Sequence, residues 1–120
     1  RTAAWSSRRI PDDPVTQSNR RGTITFAAGA QPGTRSIQLF INLRDNARLD
    51  ATRFAPLGEV VRGMDVVDAL HTGYGDSGQG GTGLAQARIN EQGEDYLARE
   101  FPLLDRILTA RVVARWPGGR

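Results

Sequence analysis

The sequence predicts a mainly β fold, an antiparallel barrel or sheet with helices at its ends. Two observations carry this expectation. Several short runs rich in β-branched and aromatic residues are bounded by Gly, Pro or Asn. They follow one another without the strand–helix–strand alternation that a parallel sheet requires, and the segments with a helical period come late in the chain.

Taken in order, Ile10-Pro11-Asp12-Asp13-Pro14 is a stiff turn, since two prolines in five residues preclude helix. Gly22 to Ala27 alternates polar and apolar residues and reads as a strand. Gly29 to Thr34 breaks it as a Gly/Pro loop, and Ile37 to Asn42 resumes as a largely apolar strand containing Gln38. Leu43 to Pro56 has no sustained period and reads as a long structured loop before a short strand, Leu57 to Val61. Met64, Val67, Leu70 and His71 fall on one helical face, with Asp65 near the favourable N-terminus and Gly73 placed to cap the end. Gly73 to Gly83 carries six glycines in eleven residues and reads as a surface loop. No strand leads into it and no Lys-Ser/Thr helix follows, so it is not a phosphate cradle. Ala87 to Phe101 is a second helix, with Ile89, Gly93, Tyr96, Leu97 and Phe101 in register and Pro102 stopping it. Ile107 to Val113 is expected as a final strand before a Pro-Gly-Gly tail.

At 120 residues the chain is one domain or part of one. It has no apolar run near the roughly 18–20 residues of a membrane helix. The absence of cysteine excludes disulfides, thiolate metal sites and a Cys nucleophile. All sixteen basic residues are arginine, against thirteen acids, for a net charge of +3. The Arg8-Arg9 and Arg20-Arg21 pairs are short and interrupted by Asp12-Asp13, so no clustered nucleic-acid surface is expected. The chain starts in mid-pattern without an initiator Met or a signal peptide, as a fragment or a processed product would.

No hydrolytic constellation emerges. His71 is the single histidine and has no Ser or carboxylate at triad-like spacing, while Asp12 and Asp13, adjacent in a Pro-flanked turn, are expected to point in different directions. What remains is an amide inside an apolar strand. Facing the core unpaired, Gln38 would cost about 1–3 kcal/mol, so it faces solvent, bonds internally or lines a ligand pocket. Alternation puts Gln38 and Phe40 on one face and turns Leu39 and Ile41 to the opposite, core side. An aromatic ring beside an amide suits an X-Pro peptide: the ring receives the proline and the amide meets the peptide's polar groups. A half-exposed strand with no ligand fits the same pattern.

The chain resembles the C-terminal two thirds of a bacterial-type cyclophilin, a peptidyl-prolyl cis-trans isomerase. Cyclophilins carry a strand ending in Met-Ala-Asn, a Gly/Pro/Asn/Thr loop, Ser-Gln-Phe-Phe-Ile, Trp-Leu-Asp, and Phe-Gly-x-Val-x-x-Gly-Met-x-Val-Val. The corresponding segments in this chain are Phe26-Ala27-Ala28, the loop Gly29 to Arg35, Ile37-Gln38-Leu39-Phe40-Ile41, Arg48-Leu49-Asp50, and Leu57-Gly58-Glu59-Val60 running on through Gly63-Met64 to Val66-Val67. The order and approximate spacing hold over residues 22 to 71.

The resemblance implies a cyclophilin-like antiparallel β-barrel with capping helices over residues 1–116, its N-terminal strands missing, and a tail at 117–120. It implies that Gln38 binds peptide backbone, Phe40 floors the proline pocket, Ala27 and Ala28 line the groove, Leu49 is the pocket leucine and Phe54 stands roughly where many members have a pocket histidine. Arg48 replaces a common Trp, and Ala28 lacks an amide side chain, which weakens one peptide contact. The catalytic arginine is expected upstream of Arg1, so no catalytic residue is assigned within the chain. No metal or cofactor is required for bond rotation, and the expected partners are proline-containing peptides or unfolded chains rather than nucleic acid. Two other readings stay open: a proline-peptide-binding, chaperone-like module without catalysis, and an Arg-rich nucleic-acid-associated domain.

Overall fold

In the computed structural model, which describes residues 4–5, 7–75 and 83–115, Thr23–Phe26 forms β1, the middle strand of a three-stranded antiparallel sheet. β2 (Leu39–Ile41) and β3 (Pro56–Glu59) flank it in the order β2-β1-β3. On one side Ile24 faces Ile41, Thr25 faces Phe40 and Phe26 faces Leu39. On the other, Thr23 faces Glu59 and Ile24 faces Gly58, and after an irregularity between Ile24 and Thr25 the latter faces Pro56. Pro56 lacks an N–H and is tolerated because it opens an outer strand. Gly22 enters β1 at φ 88°, a left-handed conformation that favours glycine. Its N–H donates to the Asn42 carbonyl at 2.8 Å, and its own carbonyl accepts from Val60 N–H at 2.8 Å, so it joins both flanking segments.

The chain divides into two units, Arg1–Leu70 and His71–Arg120. The first has a polar interior. Asn19, Thr25 and Asn42 are fully buried, with Thr23 and Arg35, whereas Ile24 and Phe26 on the other face of β1 stay half-exposed. The buried amides are satisfied by one another: Thr25 Oγ1 and Asn42 Nδ2 donate to Asn19 Oδ1 at 3.0 and 3.2 Å, and Asn42 Nδ2 donates to Thr23 Oγ1 at 2.9 Å. Arg35 pins the Pro-rich turn. Its guanidinium donates to the Pro11 carbonyl and to Asp13 at 3.0 Å and lies 3.6 Å from Asp12. Ile10 bridges to Arg35 through the backbone.

The first helix, α1, is shorter than its periodicity predicts. It runs Met64–Asp68 and closes on Ala69, so Gly73 is not its cap. Arg21 clasps Asp68 through two hydrogen bonds of 2.9 and 2.5 Å. Both side chains are well exposed, so the pair contributes little.

In the second unit α2 spans Gln86–Glu100 and is interrupted at Gly93. Tyr96 is buried there, edge-on to Phe101 at 5.4 Å, and Phe101 is edge-on to Tyr74 at 5.0 Å. Half-buried His71 packs edge-on to Tyr74 at 4.8 Å. The strand expected at Ile107 to Val113 does not form: the segment is irregular, with Ile107 86% and Leu108 91% exposed. β propensity alone does not make a strand, and among the described residues no partner meets its N–H and C=O groups. Residues 76–82 of the glycine-rich stretch and the tail at 117–120 lie outside the described residues.

Candidate functional site

The sheet ladder continues past β1, where Ala27 N–H donates to the Gln38 carbonyl at 2.9 Å. This places Ala27 and Ala28 beside β2. Phe40, opposite fully buried Thr25, projects from β2 on the same face as that threonine. Phe54 meets it edge-to-face, with ring centroids 5.8 Å apart and planes at 73°.

The loop between β2 and β3 carries the opposite wall. A 3₁₀ turn, Ala47–Leu49, ends on Asp50, whose N–H donates to the Ala47 carbonyl at 3.0 Å. Asp50 is the anchor. Its carboxylate accepts Ser18 Oγ at 2.5 Å and both Asn19 N–H and Asn19 Nδ2 at 2.8 Å. The Ser18 hydroxyl first and the Asn19 donors next hold the carboxyl below the usual range, outweighing the opposing effect of desolvation. Asn19 Nδ2 also donates to the Phe54 carbonyl at 2.8 Å, and Asn46 Nδ2 to Asn42 Oδ1 at 2.8 Å. One polar cluster therefore fixes Leu49 and Phe54 relative to β1 and β2.

The result is a groove of about 740 Å³ lined by Ala27, Ala28, Phe40, Leu49 and Phe54, with Arg44 and Arg48 on it. That volume suits a small ligand or a short peptide segment. A smaller recess of about 410 Å³ shares Ala28 and Phe54 with it and adds Arg53. Arg53 is engaged, lying 3.7 Å from Asp12 and donating to the Ala30 carbonyl. A third recess of about 300 Å³ beside β3 is lined by Gln17, Arg20, Leu57 and Glu59 among others and carries no aromatic ring.

Five of the six residues singled out from sequence, Ala27, Ala28, Phe40, Leu49 and Phe54, thus meet on one concavity. Gln38 is exposed and is not part of that lining. Leu39 and Ile41 correct the expectation of a closed core behind β2: Leu39 is 54% exposed, and half-buried Ile41 contributes to the groove. Their face is open because among the described residues no side chains cover it. Sequence reasoning missed Asn19, Asn42 and Asp50 as supports. The available signal was an Asn or Asp just before, after and beyond two adjacent strands.

Among the described residues no group of three His, Asp or Glu side chains is placed to hold a metal ion. No helix there is long and apolar enough to cross a membrane.

The model of the family described as cyclophilin type peptidyl-prolyl cis-trans isomerase/CLD matches residues 1–93, which include the whole groove. Among curated proteins, the peptidyl-prolyl cis-trans isomerase of Acinetobacter baylyi is 42% identical over 57 residues, 44% of this chain and 30% of that protein. Peptidyl-prolyl cis-trans isomerase A of Dickeya dadantii is 41% identical over 56 residues, 43% of this chain and 30% of that protein. These matches span less than a third of either relative.

Proposed function

The chain belongs to the cyclophilin-type peptidyl-prolyl cis-trans isomerase family, and from that membership we propose that the whole protein accelerates rotation about X-Pro bonds in proline-containing peptides or unfolded chains. The supporting observation is the convergence of Phe40, Phe54, Leu49, Ala27 and Ala28 on one apolar groove. In this reading the proline ring lies against Phe40 and Leu49, and Gln38, at the end of the Ala27 ladder contact, meets the peptide backbone. The three-stranded sheet belongs to a closed antiparallel barrel, and residues 1–116 form one partial domain.

Rotation about an X-Pro bond has a barrier of about 18–20 kcal/mol because amide resonance is lost on the way. In the twisted state the proline nitrogen becomes pyramidal and accepts a hydrogen bond. A donor aimed at that nitrogen stabilises the twisted state more than either ground state, and that difference is what accelerates the reaction. The chemistry needs no nucleophile or proton transfer. The groove residues hold the proline against the aromatic wall, and no residue of the groove is assigned as the donor.

An NMR titration with a short X-Pro peptide, paired with exchange measurements of its cis/trans rate, tests this. The expected outcome is saturable binding that Phe40→Ala weakens at least about tenfold, since it removes the aromatic wall. The 120-residue chain by itself is expected to bind the peptide through the same groove. Binding by the whole protein without any acceleration would establish the chaperone-like reading instead, and absence of binding would exclude both.

A further inference from the structure

The groove is apolar in its walls and positive at its margin. Arg44 and Arg48 both line it, no carboxylate does, and neither arginine has an ion-pair partner among the described residues. The acids closest in sequence are already committed. Asp45 accepts the Arg21 backbone N–H at 2.9 Å, and Asp50 is occupied by Ser18 and Asn19. Arg53, in the adjoining recess, is balanced by Asp12. Two exposed guanidiniums therefore flank an aromatic pocket, and no acid among the described residues of the unit neutralises them. Like-sign charges beside an apolar pocket favour a ligand that brings the opposite charge.

We propose that the groove selects peptides carrying a carboxylate side chain next to the proline, with Arg44 and Arg48 as the specificity-determining residues. This rests on the proline-peptide reading of the groove and adds the substrate class. The proline occupies the Phe40–Leu49–Phe54 wall, and the neighbouring Glu or Asp is met at the margin by one or both guanidiniums, whose planar fork suits a carboxylate.

Titration of the protein with four peptides, Ala-Glu-Pro-Ala, Ala-Gln-Pro-Ala, Ala-Pro-Glu-Ala and Ala-Pro-Gln-Ala, tests it. In at least one pair the Glu peptide is expected to bind about two- to fivefold tighter than its Gln isostere at low salt, as exposed charge pairs allow. Added salt should shrink that ratio. The ratio should fall towards one in Arg44→Gln/Arg48→Gln and persist in Arg44→Lys/Arg48→Lys, which keeps the charge. A preference left intact by the double Gln substitution would overturn the assignment to these arginines. Equal Glu and Gln binding that still depends on Phe40 would overturn acid selection and leave the groove reading standing. Failure of all four peptides to bind would overturn the groove reading as well.

Discussion

Asn19 shows how much one buried amide can organise. Its side chain accepts from Thr25 and Asn42 and donates to Asp50 and to the Phe54 carbonyl. Asn19→Ala removes the acceptor of Thr25 Oγ1 and the donor to the Phe54 carbonyl and takes one contact each from Asn42 and Asp50, at a cost of about 2–4 kcal/mol in a urea melt, and it frees the backbone that positions Phe54. Asp50 adds a pH dependence to the same cluster. Its folded pKa lies below the ordinary value of 3.8, so its hydrogen bonds contribute stability above that value and are lost as the pH falls through the depressed one. Urea melts at about pH 6 and about pH 3 are expected to show a loss on acidification that Asp50→Asn reduces. At this scale the sequence displayed the right residue types but not their partners, because Asn19 and Asp50 are 31 positions apart and meet only when the loop folds back.

Among elements, β1 and β2 were legible because alternation and turn residues agree, and the register then brings Thr25 opposite Phe40. The helices were legible in place but not in form. α2 breaks at Gly93, where φ 57° and ψ −133° leave the helical region although the apolar period runs through unbroken. A Cβ there meets nothing within 4 Å, so substitution strains the backbone and not the packing. Gly93→Ala is expected to lower stability by about 1–2 kcal/mol in a thermal melt. An unchanged melting temperature would mean that the two arms straighten into one helix at no cost. The expected strand at Ile107 to Val113 failed for a different reason: its composition suits a sheet, but pairing is a property of two segments, and no second one among the described residues is there.

For the molecule as a whole, the supply of apolar burial is thin. Among the described residues Ala55 and Tyr96 are the buried apolar side chains, while Leu57 is 55% and Val61 90% exposed. β2 and β3 are outer strands, each with one row of backbone groups unpaired within the sheet. Such edges recruit other strands. A polypeptide of these 120 residues is therefore expected to associate, or to melt broadly with stability below the usual range of about 5–15 kcal/mol. Light scattering and a thermal melt check this. A monodisperse monomer with a sharp transition would show that these residues close their own core.

The sequence by itself determined the family, the two leading strands and five of the residues that line the aromatic groove. These rest on short-range patterns, namely alternation, turn chemistry and motif order, which survive in one dimension. The tertiary structure decided that the interior of the first unit is polar, that Asp50 and Asn19 hold the groove open, that Arg44 and Arg48 are left without acids among the described residues, and that the last apolar run stays unpaired there. Each of these depends on which distant groups meet, and a hydrogen bond or an ion pair exists only once both partners have been brought to the same place.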